Sequence, residues 1–310
     1  MGPRDVRVRV RLTGLSSRSE IERYARNPAG QPEPIGYNAV GVIDACGAEV
    51  AGFTEGDRVF ATVGHADTAV IDAASVVRIP DDVDDESACF IYLPTLGTHA
   101  LRLAGYQPGE FVAISGQGII GQTASLMANL YGARTIAIDL SDERLAIARQ
   151  AGAHHTINPG RDDVRAEIDR ACGTAGLDIV IDTASSWRSL GQALDLIRPH
   201  GRIVMLGIIR DDLAGEGAEQ FSASWRRNLH GKEAVLLGAS NDPADLDGSS
   251  GLRFTRERNM EEVVHHITTG ALDLKQLITH RYQISELENV YRLLLNGQQD
   301  HLGVVFAWPA

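Results

Sequence analysis

The stretch Glu110-Phe-Val-Ala-Ile-Ser-Gly116-Gln117-Gly118-Ile119-Ile120-Gly121 limits the fold of this chain more than any other. Phe111 to Ile114 is an apolar run of strand length. Ile120, Ala124, Met127 and Tyr131 then fall at helical spacing, Gly132-Ala133 ends the helix, and a β-branched run leads to Asp139. Each glycine has a mechanical reason. Gly116 permits a tight turn, Gly118 lets a pyrophosphate approach the backbone, and Gly121 lets helix and strand pack closely. The helix N-terminus presents free N–H groups and a positive dipole end to phosphates. A carboxylate about 20 residues on, at Asp139, suits the ribose hydroxyls and repels a 2′-phosphate, which favours NAD(H) over NADP(H). The same Asp139 could instead help cap the helix that begins near Ser141.

The pattern continues as strand and helix in alternation from 107 to 240. Helices are expected at Asp142–Gln150, Asp162–Ala171 and Ser189–Ile197. Strands are expected at His155–Ile157, Leu177–Asp182, Gly201–Gly207 and Ala234–Ala239. Six strands with intervening helices make a doubly wound parallel α/β sheet. Residues 1–106 read differently. Val6–Leu12 alternates apolar residues with arginine, and Val40–Ile43, Arg58–Thr62 and Ala69–Asp72 are short strands between glycine-rich turns. Helices at Met260–Thr269 and Glu286–Asn296 and a last strand at Val304–Trp308 are expected to pack back on this β-rich segment. The expected domains are therefore 1–106 plus 241–310, with 107–240 inserted. Asn241–Gly251, rich in Asp, Ser and Gly, reads as the returning loop or a lid.

Composition narrows the function. The 310 residues are 44% hydrophobic and carry a net charge of −12, which disfavours nucleic acid and anionic membranes as partners. No apolar run approaches the roughly 20 residues of a membrane span. Cys46, Cys89 and Cys172 are odd in number and dispersed, as in a reduced, cytoplasmic protein.

Gly41-Val-Ile-Asp-Ala-Cys-Gly47, Gly56-Asp57-Arg58-Val59, Gln107-Pro108-Gly109-Glu110, Asp182-Thr183-Ala184 and Leu277-Ile278-Thr279-His280 together resemble the medium-chain dehydrogenases/reductases, the zinc alcohol dehydrogenase superfamily. The resemblance runs nearly end to end. It implies a GroES-like catalytic domain around a Rossmann domain, and hydride transfer between a nicotinamide and a small molecule. It also implies a homodimer paired through the edge strand at 234–239. Cofactor contacts carried over are Thr95, Gly116, Gly118, Ile119, Ile120, Gly121, Asp139, Arg144 and Gly207. Family members carry another strand or two before Val6, so a shortened N-terminus is expected.

The departures concern the metal. Where the zinc enzymes have Cys, the His of Gly-His-Glu and a third ligand, this chain has Ser16, Tyr37 and Ile91, and the four-cysteine lobe is missing. A hydroxyl, a phenol and an aliphatic group cannot replace thiolate and imidazole around Zn²⁺, so no metal is expected. Gly14-x-Ser16-x-x-Ser19-Glu20 with Gly36-Tyr37 is closer to a zinc-lacking branch that includes the bacteriochlorophyllide hydroxyethyl dehydrogenases, though Asn38 departs from its Glu. Without zinc, some side chain must stabilise charge on the substrate oxygen. Tyr37 is the first candidate, or else a packing aromatic. Ser16 is a second donor or a filler, and Arg18 a clamp for an anionic group or a solvated cation. His65 and His99 are further candidates, each more readily explained as structural. A zinc-free enoyl or quinone reductase, and a catalytically inactive NAD-binding scaffold, remain alternative readings.

Overall fold

A computed structural model describes residues 1–26, 34–209, 215–240, 251–297 and 301–309. The chain divides into two compact units, Met1–Thr95 with Asp242–Ala310, and Leu96–Asn241.

In the first unit, β1 (Asp5–Gly14) buries Val6, Val8 and Val10 and exposes Arg7, Arg9 and Arg11, the two-residue period of a half-buried strand. α1 (Ser17–Arg26) follows, a polar helix absent from the sequence reading. Then come β2 (Asn38–Cys46), β3 (Arg58–Ala61), β4 (Thr68–Asp72) and β5 (Val76–Arg78). The acidic run at 81–86 opens α2 (Asp85–Ala88), whose first turn is capped by the Asp84 carboxylate accepting from the Ser87 N–H. α3 (Tyr92–Leu103) spans the division between the units and contains His99.

The second unit holds β6 (Phe111–Ser115), α4 (Ile119–Leu130), β7 (Arg134–Ile138), α5 (Asp142–Gln150), β8 (His155–Ile157), α6 (Val164–Cys172), β9 (Leu177–Asp182), α7 (Trp187–Leu196), β10 (Ile197–Met205), α8 (Gly215–Ser224) and β11 (Val235–Gly238). Its strands are all parallel, in the order β11-β10-β9-β6-β7-β8. This is the doubly wound Rossmann arrangement, with its chain reversal between β6 and β9. Separate apolar clusters cover the sheet, one around Ala113, Ile136, Val180 and Leu194, the other around Val112, Ile114, Ala124 and Ile179. Leu177–Asp182 is buried along its whole length, which is why it reads as a continuous apolar run. Trp225-Arg226-Arg227 begins a short π-helical turn, with Trp225 exposed.

The chain then returns to the first unit with α9 (Arg256–Thr268), β12 (Ile278–Gln283), α10 (Leu287–Leu295) and β13 (Gly303–Ala307). β13 lies between β12 and β1, completing a seven-stranded sheet ordered β12-β13-β1-β2-β3-β5 with β4 beside β1. The expected packing of the C-terminal strand on the first segment is thus a strand pairing. Leu15, Val290, Tyr291, Val304 and Phe306 form one buried cluster that joins the two chain segments. The expected loop or lid at 241–251 lies almost wholly outside the described residues. Among the described residues no helix is long and apolar enough to cross a membrane.

Candidate active site

The turn after β6 is made by its glycines. Gly116 has φ +87°, a conformation that L side chains rarely adopt, and an added Cβ would press on the Ala184 backbone. A Cβ on Gly121 would collide with the Gly116 carbonyl oxygen, whereas one on Gly118 would meet nothing. Gly118 is therefore not needed for packing within the chain. It borders open space at the N-cap of α4, where no side chain caps the first N–H groups. That combination suits a bound pyrophosphate.

The turn is fastened from two sides. Asp139 accepts from the Gln117 N–H (2.6 Å) and from the Ser141 N–H (2.8 Å), and Ser141 caps α5. Asp139 thus holds the glycine turn and the next helix start at once. Two bonds leave a half-buried carboxylate with further acceptor sites. Thr183 Oγ1 lies 3.0 and 2.9 Å from the carbonyls of Ser115 and Gly116, sharing one proton between them. Thr183 was not among the candidate residues, although Asp182-Thr183-Ala184 is part of the motif. Gly207 follows β10, and a Cβ there would collide with Ser185. Ile119 is buried in the first turn of α4 and Ile120 half-buried beside it. The half-buried Arg144 has its Nε buried without a hydrogen-bond partner.

Asp182, at the end of β9, is fully buried, with both carboxylate oxygens outside hydrogen-bond geometry. Burial pushes its carboxyl up to about 6, partly offset by the nearby Ser189 and Ser115 hydroxyls and the Ala184 and Ser185 N–H groups.

A second site is assembled in the first unit from side chains. The Tyr37 hydroxyl donates a short hydrogen bond to Ser16 Oγ, and Ser19 Oγ lies 3.4 Å from the same oxygen. Tyr92, next to Ile91, packs edge-on against the Tyr37 ring at 5.6 Å. Ser16 and Tyr37 are thus brought together, and Ile91 is buried next to Tyr92 in sequence with no contact to the pair shown; a hydroxyl bonded to a phenol does not fit Zn²⁺. Cys89 offers no substitute, for its buried thiol donates weakly to the Asn38 carbonyl and desolvation pushes it well above its ordinary value. Burial likewise raises the Tyr37 phenol, the Ser16 bond opposing and the Glu20 charge adding, so Tyr37 is a proton donor at neutral pH.

Behind Ser16 is a buried network absent from the sequence reading. Glu20 is 2% exposed. Its Oε1 accepts from the Ser16 N–H (2.7 Å) and its Oε2 from the Tyr291 hydroxyl (2.9 Å), with His65 Nε2 at 3.1 Å. His65 Nδ1 lies 2.7 Å from Thr13 Oγ1, which accepts from Trp308 Nε1 (3.2 Å). Thr13, His65 and Glu20 have the order of a nucleophile, base and acid, but Thr13 is fully buried and can attack nothing. Thr95 is fully enclosed, its hydroxyl donating to the Tyr92 carbonyl (2.6 Å), and His99 is half-buried in α3. The Arg18 side chain lies outside the described residues.

Residues 2–81 match the alcohol dehydrogenase GroES-like domain and residues 120–242 the zinc-binding dehydrogenase family. The L-threonine 3-dehydrogenase of Anaeromyxobacter sp. (strain Fw109-5) is 28% identical over 346 aligned positions, covering 99% of this chain and 93% of that protein. Since this chain has 310 residues, at least 36 of those positions have no counterpart here. An alcohol dehydrogenase of Cupriavidus necator is 26% identical, covering 98% of this chain and 92% of its own length. Galactitol-1-phosphate dehydrogenase from Escherichia coli superposes with a TM-score of 0.85 at 24% identity, over 99% of this chain and 93% of that one. With both domain matches in sequence order, on a GroES-like unit and a parallel Rossmann sheet, the chain belongs to the zinc-type alcohol dehydrogenase-like superfamily of medium-chain dehydrogenases/reductases.

Proposed function

We propose that this chain is a zinc-independent, NAD(H)-dependent dehydrogenase that interconverts an alcohol and a carbonyl on a small molecule. The observation that carries the reading is the Tyr37–Ser16 hydroxyl pair standing where the zinc enzymes place two metal ligands. The pattern from Gly14 to Glu20 with Gly36-Tyr37 supports the zinc-lacking branch within the superfamily. Asp139 beside the glycine turn supports NAD(H). We read β11, the edge strand of the parallel sheet with Val235 exposed, as the seam of a homodimer, and the protein as cytoplasmic.

Gly116–Gly121 and Asp139 would hold the cofactor, which when bound would supply or accept the hydride. The protein's task is the oxygen. In reduction, Tyr37 turns its proton from Ser16 towards the carbonyl oxygen and donates as charge develops there. Ser16, freed from accepting, then donates to the phenolic oxygen, so one hydroxyl reinforces the other. Oxidation is the reverse and starts from the ionised phenol, which takes the alcohol proton and again becomes the hydroxyl that donates to Ser16.

Turnover of NAD(H) with a panel of alcohols, ketones and enoates tests this. Turnover that survives chelator and falls in Tyr37→Phe is expected. Turnover that is lost to chelator and restored by Zn²⁺ sinks the zinc-free mechanism. Activity confined to enoates selects a reductase of C=C bonds, and tight NADH binding without any turnover selects a scaffold.

A further inference from the structure

We infer that Glu20 is a positioning residue, which sets the Ser16–Tyr37 pair from behind and does so through both of its members. This rests on the reading of Tyr37 as donor to substrate. The argument starts from the protons. Trp308 Nε1 gives its proton to Thr13 Oγ1, leaving the Thr13 proton for His65 Nδ1. His65 then carries its own proton on Nε2 and donates it to Glu20 Oε2, where the Tyr291 hydroxyl also donates. The opposite tautomer would leave the Thr13 proton with no acceptor among these groups. Every donor is used once, and all of them run towards Glu20.

The two carboxylate oxygens have different tasks. Oε1 accepts from the Ser16 amide, which fixes the residue that carries the hydroxyl under Tyr37. Oε2 fixes the His65 ring, and that ring presses on Gly36, the residue before Tyr37. A Cβ on Gly36 would lie 2.9 Å from His65 Cδ2, and Gly36 has φ +95°. The His65 N–H also donates to the Ile35 carbonyl at 2.8 Å. One buried carboxylate therefore ties the backbone on both sides of the hydroxyl pair, across segments that the sheet and the apolar cluster of Leu15 and Ile35 also join. A carboxylate accepting three donors loses little by burial, whereas any neutral apolar residue there would leave the Ser16, His65 and Tyr291 donors unpaired.

Amide hydrogen exchange followed by NMR tests the tie without needing a substrate. In the parent protein the Ser16 amide is expected to exchange slowly. In Glu20→Ala it is expected to exchange about 10–100-fold faster, while the amides of β2 and β13 keep their rates. With an alcohol or ketone from the panel that turns over, Glu20→Ala should lower kcat at least ~10-fold and leave KM for NAD unchanged. Glu20→Gln, whose amide oxygen can still accept from Ser16, should restore most of kcat. A Ser16 amide that exchanges freely in the parent overturns the proposal, and this holds even if Glu20→Ala does not fold. Equal loosening of β2 and β13 also overturns it, because it marks a fold stabiliser. Full activity in Tyr37→Phe would instead remove the functional reading and leave the Glu20–Ser16 tie intact.

Discussion

The turn after β6 and the cluster after β1 hold their candidate sites by opposite means. At the glycine turn the backbone is the site. Gly116, Gly118 and Gly121 matter for what they lack, and the side chains nearby, Asp139 and Thr183, bind backbone groups. At the hydroxyl cluster the backbone is strand and helix start apart from Gly36, and the site is built from the side chains of Ser16, Tyr37, His65, Glu20 and Tyr291. A site made of backbone depends on sterics and tolerates almost no added atom. A site made of side chains depends on proton donors and can be edited one group at a time.

The sharpest way to break this contrast is at Gly121. Gly121→Val places atoms where the Gly116 carbonyl stands, so NADH affinity should fall about 1,000-fold or more, read by quenching of protein fluorescence. A variant that still binds NADH would mean the turn is not backbone-limited. The next effect is one of pH. The Asp182 carboxyl ordinarily titrates at 3.8 and is pushed up to about 6 in the folded chain. As pH rises from about 4 to about 6, the unfolded chain gives up this proton first, so the native state binds more protons and loses stability. The decline amounts to up to about 3 kcal/mol. Urea unfolding across that range should show a slope in the parent that Asp182→Asn lacks. If the two slopes coincide, the carboxyl has found partners that the geometry does not show.

On the side-chain half, Tyr37→Phe should lower kcat about 100-fold in steady-state assays while NADH affinity stays within a factor of about two. A matching loss of NADH affinity would show that the two halves are not separable. The smallest effect is expected at Asp139. Asp139→Asn keeps a backbone acceptor but removes the charge, so the NADH-to-NADPH affinity ratio should fall about 10-fold, measured by titration of both. An unchanged ratio would reduce Asp139 to a clasp between the turn and α5.

The same contrast explains what could be read from the sequence. The glycine turn, α5 at 142–150, β8 at 155–157 and β9 at 177–182 are local signals, and the structure has these elements at those bounds. The departures at Ser16, Tyr37 and Ile91 are read from the sequence by resemblance, and the structure adds that two of these residues, Ser16 and Tyr37, are hydrogen-bonded. α1 was missed because its sequence, Ser-Arg-Ser-Glu-Ile-Glu-Arg-Tyr-Ala-Arg, is too polar to show an apolar stripe. β10 starts at Ile197 rather than Gly201, beyond a register irregularity that interrupts its pairing with β9. Glu20 was invisible as a hub for a different reason. Its partners His65 and Tyr291 lie 45 and 271 residues away, and no local pattern carries that separation.

The place of β13 has a consequence for how the chain is made. The Rossmann unit is continuous in sequence and all its strands exist once residue 241 has been synthesised. In the first unit's sheet β1 to β5 pair among themselves, and β12 stays detached until residues 303–307 are added, because it reaches β1 only through β13. Until then β1, already paired with β2 along its length and with β4 at Asp5–Arg9, lacks a neighbour only at Leu12, Thr13 and Gly14, so the edge left open to other chains is short. The nucleotide half can fold as it is made, and the half that carries Tyr37 is closed at that short edge by β13.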